Sequence, residues 1–140
     1  MKRILCGFLG VALLSAGCAD PAAPVTPTPV APTISETFSD TLLVAGSNLH
    51  IFTVTAVGGV KVKLTSLDPS ATVGLGIGFP SLGTCSLMQR VNATASDSVQ
   101  ISGTATFPGQ LCVQIFDIVG PDGLATLTAP VAYTINVLHS

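Results

Sequence analysis

The 140-residue chain contains no tryptophan and a single tyrosine, Tyr133. Sugar-binding modules commonly stack their ligand on aromatic platforms, so a glycan site of that type has little to be built from. Charge is also scarce: 9% of residues are charged, against about 25% in ordinary soluble domains. Beyond Lys2 and Arg3 only Lys61, Lys63 and Arg90 are basic, against seven acidic residues, a formal balance of −4 from position 18 onward. Nucleic-acid binding requires clustered Lys and Arg to displace phosphate counterions. Electrostatic adhesion to anionic lipid requires the same, and neither partner fits. A long hydrophobic run is missing too. The longest opens the chain at Ile4–Leu14, eleven residues, whereas a bilayer span needs roughly 20. No stretch of ten or more residues after it shows helical periodicity, and no G-x-S-x-G elbow or dinucleotide fingerprint occurs.

The N-terminus carries the most specific pattern. Met1-Lys2-Arg3 is a short positive region, Ile4–Leu14 is apolar, and small residues follow, the layout of an export signal. Leu14-Ser15-Ala16-Gly17-Cys18 resembles the lipobox of bacterial lipoproteins, although Ser15 stands where Leu is most frequent. The resemblance implies cleavage before Cys18 and a diacylglyceryl thioether on its sulfur, which anchors the protein in a membrane. The competing reading is an ordinary cleavage site with a cysteine nearby. Ala19 replaces the aspartate associated with inner-membrane retention, so the resemblance favours the outer membrane. Residues 20–33 hold five of the ten prolines. Proline fixes φ and removes donors, so this stretch is expected to be a disordered, extended spacer reaching on the order of 40 Å. The division is therefore 1–17 signal helix, 18–33 lipidated cysteine and linker, and 34–140 body.

In the body, short β-branched runs alternate with Gly, Pro, Ser and Thr. Val60, Val62 and Leu64 point one way while Lys61, Lys63 and Thr65 point the other, the period of a half-buried strand. Comparable runs are expected over 36–44, 49–56, 60–67, 71–79, 85–91, 97–107, 110–119 and 130–138, with turns at Gly58-Gly59, Asp68-Pro69-Ser70 and Pro121-Asp122-Gly123. About eight strands at this spacing predict an all-β, antiparallel β-sandwich. The order ETFSDTL, LHIFTVTA, GVKVKLTSL, VGLGIG, GTCSL, LCVQIFD and PVAYTINV is similar to bacterial pre-peptidase C-terminal (PPC) type domains over Ser35–His139. That resemblance implies a jelly-roll-like sandwich. Some relatives of that fold bind calcium and collagen, but their ligand positions cannot be matched here.

Among candidate sites, Cys85 and Cys112 could be a disulfide, free thiols or half of a metal site. An even pair in an exported protein favours the disulfide. Val73–Phe79 alternates strictly, placing Gly74, Gly76 and Gly78 on one face. Glycine there signals close approach, either of a polymer or partner on a flat contact face, or of a neighbouring loop lying over the glycines. Asp40, Asp68, Asp97, Asp117 and Asp122 fall in no calcium-loop pattern, and no metal or cofactor is assigned. His50 and His139 are the only imidazoles. His50 reads as a strand residue near a turn, and His139, next to last, is expected to fray. Tyr133 is in phase with Val131, Ile135 and Val137 and reads as core. Asn92-Ala93-Thr94 spells a glycosylation sequon, a coincidence beside a bacterial export signal. The sequence thus describes a lipid-anchored, non-catalytic envelope protein with an unidentified envelope partner. The alternative is a module for a surface polysaccharide or protein polymer, with or without calcium.

Overall fold

The structure is a computed structural model that describes residues 28–29 and 31–140; the proposed signal, Cys18 and most of the linker lie outside the described residues. Eight strands follow in order: β1 (Ile34–Leu42), β2 (Ser47–Val54), β3 (Gly58–Asp68), β4 (Val73–Ser81), β5 (Thr84–Ala93), β6 (Ile101–Ala105), β7 (Gly109–Phe116) and β8 (Val131–His139). They form two four-stranded sheets, β1-β8-β3-β6 and β2-β7-β4-β5, and every pairing is antiparallel. Successive strands switch sheets, except that β4 and β5 form a hairpin within one sheet, which is the jelly-roll order. The fold class read from the sequence is the one observed.

The core lies between the sheets and follows from period two. Val60, Val62 and Leu64 of β3 and Val131, Tyr133, Ile135 and Val137 of β8 face inward from one sheet. Val73, Leu75 and Ile77 of β4 and Leu111, Val113 and Ile115 of β7 meet them from the other. All are buried, and full burial of such a side chain contributes about 1.5–3 kcal/mol. The flanks of the sandwich are formed by edge strands: β1 faces β2 on one side, and β6 faces β5 on the other.

Most strand ends shift by two or three residues from the sequence reading, and three departures are larger. Gly58 and Gly59, expected to turn, are instead the first residues of β3, paired with Ala105 and Thr104. The strand expected over 97–107 shrinks to Ile101–Ala105. Before it the Gln100 side chain takes over the ladder's work, accepting from the Leu64 N–H at 2.9 Å and donating to the Thr94 carbonyl at 3.2 Å. The Ser96 N–H occupies the Leu64 carbonyl at 2.8 Å. The last residues are also not frayed. His139 is buried, Thr55 donates to the Ser140 carbonyl at 2.9 Å, and Thr33 donates to the His139 carbonyl at 2.9 Å.

Candidate functional site

The glycines of β4 do not form an open contact face. Gly74, Gly76 and Gly78 are buried, and each is covered by a neighbouring strand. A Cβ added to Gly74 would overlap the Phe116 ring, which leans across from β7. One on Gly76 would lie 2.8 Å from the Leu87 methyls, and one on Gly78 would overlap the Ser86 carbonyl oxygen. An aromatic laid over a cross-strand glycine restores the packing that the missing side chain forfeits. Close approach is therefore by the chain itself, but by the adjacent strands β7 and β5 rather than by the expected loop, and the polymer face is withdrawn.

At Gly78 the approach has a further consequence. The β4–β5 register shifts between Ile77 and Gly78, and the start of β5 curls over β4 toward β7. Cys85 and Cys112, on strands separated by β4 in the sheet order, come to a Cα–Cα distance of 5.9 Å and form a disulfide. The hairpin is thereby fastened to the sheet just behind its tip.

That tip is the two-residue turn Leu82-Gly83, closed by the Ser81–Thr84 pair. Both residues have positive φ, 48° at Leu82 and 79° at Gly83. A tight hairpin turn with two left-handed residues prefers Asn-Gly or Asp-Gly, because a side chain such as leucine's costs roughly 1–2 kcal/mol there. Leu82 nevertheless occupies the position, and its relative exposure is 102%, so it recovers nothing by burial. Along the hairpin stem, Phe79 stacks on Phe107 with ring centroids 5.8 Å apart. Together with Met88 and Leu111 they line a groove of about 360 Å³ between β5 and β6. Met88 and Phe107 are themselves more than half exposed.

The opposite flank holds the polar groups. Asn48 and His50 of β2 face Tyr133 of β8. The Asn48 amide donates to the Tyr133 hydroxyl at 3.0 Å, and His50 Nε2 lies 2.7 Å from the same oxygen. The Phe38 ring stacks on His50 at 4.8 Å. Burial pushes the His50 pKa below its ordinary value, only partly offset by the Asp40 carboxylate, and burial raises that of Tyr133. With its oxygen accepting from Asn48, the phenol O–H is free to donate a hydrogen bond to Nε2 of a neutral His50. His139 is tied by the same flank: its Nε2 meets Glu36 Oε1 at 2.8 Å and its ring packs on Phe52. Tyr133 is in the core as its phase implied, but it carries a polar handle that pins one sheet to the other. His50 is bonded to this tyrosine rather than to a serine or an aspartate, so the arrangement supplies an inter-sheet clamp.

Among the described residues, Asp117 is the buried carboxylate. It accepts from the Ala45 N–H at 2.8 Å and from the Thr126 N–H, the Thr126 hydroxyl and the Leu127 N–H at 3.1 Å each. Burial alone would raise its pKa, but these hydrogen bonds outweigh it and hold the carboxyl below its ordinary value. Its work is to lock the loop after β7 onto the β1–β2 turn. Among the described residues no three His, Cys, Asp or Glu side chains gather where they could hold a metal ion.

Leu82 is the residue that sequence reasoning missed. The available signal was an apolar residue in the first position of a two-residue turn, where Asn or Asp is the better choice.

Fold and site together define a disulfide-fastened jelly-roll sandwich that projects an apolar hairpin tip. No protein-family model matches the chain, and no curated protein matches it significantly. Among solved structures it is similar to PliG of Aeromonas hydrophila, described as a periplasmic lysozyme inhibitor of g-type lysozyme. The TM-score is 0.52, with 13% identity, over 79% of this chain and 95% of that one. This likeness shows the fold.

Proposed function

We propose that the protein is a bacterial envelope lipoprotein, anchored through Cys18, whose PPC-like sandwich is a non-catalytic module that inserts the Leu82 tip into an apolar depression on a protein partner. Leu82 carries this reading. The residue is unfavourable for its turn and buries nothing within the fold, which is the signature of a side chain kept for contact rather than stability. The disulfide and the Gly78 approach supply rigidity, so little ordering entropy remains to be lost on binding. The export signal and the lipobox-like Leu14–Cys18 support an anchored, outer-membrane location. The PliG fold, found in a periplasmic protein that inhibits a g-type lysozyme, supports a protein partner and makes such a lysozyme the first one to test.

The test is Leu82→Asn, which suits the turn better than the native residue and so leaves the fold intact or more stable. Inhibition of a g-type lysozyme and chemical cross-linking on intact cells should both be compared with the wild type. Loss of the inhibition, or of a discrete cross-linked adduct, with membrane anchoring retained is the expected result. Unchanged inhibition and unchanged adducts would contradict the assignment of the tip.

A further inference from the structure

At the end of β4 opposite Leu82, two clefts adjoin. One, of about 760 Å³, opens between the Pro69–Thr72 turn and the 118–129 segment. The other, of about 340 Å³, shares Ser70, Ala71 and Thr72 and runs on to Thr94 and Ala95. Together they make a trough passing on both sides of a single turn.

The lining decides what such a trough can accept. No lysine or arginine lines either cleft, and no aspartate or glutamate does. An anion would find no counter-charge there, and a hard cation would find no carboxylate oxygens. The rim is mixed: the exposed hydroxyls of Ser70, Thr72 and Thr128 and the exposed amide of Asn92 stand beside the exposed Pro69, Val119, Pro121 and Ala129. A wholly apolar ligand would desolvate those hydroxyls and the amide without satisfying them, which is costly. A peptide added as a strand needs a free sheet edge, whereas these walls are built chiefly of turn and loop. A neutral ligand rich in hydroxyl groups remains. It can exchange hydrogen bonds with the rim and lay aliphatic ring faces on Ile118 and Leu127 at the floor. One wall is also fixed in advance: Asp117 holds the Thr126 and Leu127 N–H groups and the Thr126 hydroxyl, so the loop need not be ordered on binding.

We propose that this trough is a binding site for a neutral polyhydroxylated polymer, a glycan strand that crosses the Ser70–Thr72 turn and occupies both clefts. It is independent of Leu82 and of the glycine face. With no aromatic ring to stack on, each sugar is held by hydrogen bonds and aliphatic contact, so a short oligomer binds weakly and affinity grows with chain length.

The test uses the chain from residue 18 carrying Cys18→Ala, titrated with trimers of N-acetylglucosamine and of glucose while backbone amides are followed by NMR. Saturable shifts confined to residues 70–72, 92–95 and 126–128 are expected with at least one trimer, and the trimer that binds more tightly separates an amino-sugar source from a glucan. The double variant Thr72→Val/Thr128→Val removes two hydroxyls at little change in volume. It should weaken binding at least tenfold while leaving amide positions elsewhere unchanged. The site is refuted if neither trimer gives saturable shifts, if the shifts fall elsewhere, or if the double variant binds as tightly as the parent.

Discussion

The Tyr133 phenol oxygen lies 2.7 Å from Nε2 of His50, and this hydrogen bond crosses from one sheet to the other. Because burial lowers the His50 pKa, the folded state prefers neutral imidazole more strongly than the unfolded chain does. The sign follows from linkage. The contribution is fully present above the unfolded value of about 6.5, and it is lost as pH falls below that value toward the lowered folded one. Chemical denaturation of the wild type between pH 7.5 and 5 should therefore show declining stability, and His50→Gln should flatten that decline. An unchanged slope would mean that the clamp does not titrate. Removing only the hydroxyl, by Tyr133→Phe, leaves Asn48 and His50 without their shared partner and should cost about 1–2 kcal/mol.

Asp117 depends on pH in the same direction, but in a more acidic range. Its carboxyl is held below the ordinary range by four hydrogen bonds, so its contribution is present above the unfolded value of about 3.9. It disappears as pH falls through the lower folded value. Asp117→Ala removes the acceptor for three backbone N–H groups and should cost at least about 2 kcal/mol at pH 7. In urea titrations the variant and the wild type should converge as pH approaches 2. A constant difference down to that pH would show that the loss is one of shape rather than of charge.

Two glycines separate tight backbone approach from mere flexibility. A Cβ on Gly78 would overlap the Ser86 carbonyl, whereas one on Gly103 would meet nothing within 4 Å. Gly78→Ala should destabilise by about 2 kcal/mol or more, since main chain rather than a side chain must move. Gly103→Ala should be neutral or stabilise by up to about 1 kcal/mol through the unfolded state. Thermal unfolding of the pair checks both, and equal effects would contradict the packing described around β4.

The disulfide closes a loop of 27 positions. In the chain-entropy model this is worth about 3.5 kcal/mol. Cys85→Ala/Cys112→Ala should lower stability by about that amount, read by guanidinium denaturation. Non-reducing peptide mapping of the native protein should recover Cys85 and Cys112 in one linked peptide.

Much of this fold was legible because period-two burial is local. Val60, Val62 and Leu64 announce their face without reference to anything distant. What was not legible depends on residues far apart in sequence. Phe116 covers Gly74 from another strand, so the glycine stripe looked open. The Gln100 side chain replaces strand pairing at Leu64, so β6 looked longer than it is. His139 is held by Glu36, 103 positions away, so the tail looked loose. The disulfide was within reach, since an even cysteine pair in a chain read as exported leaves few other uses for the thiols. The Leu82 tip was hidden for a different reason: an isolated exposed leucine is ordinary, and only the backbone angles make this one expensive.

The proposed envelope anchoring depends on Cys18, whose acylation would hold the sandwich at a membrane. Intact mass spectrometry of the native protein, with sequencing of its N-terminus, is the direct test. The predicted product begins at Cys18 and carries a diacylglyceryl group on that sulfur. A soluble, unacylated product beginning at any other residue would contradict it.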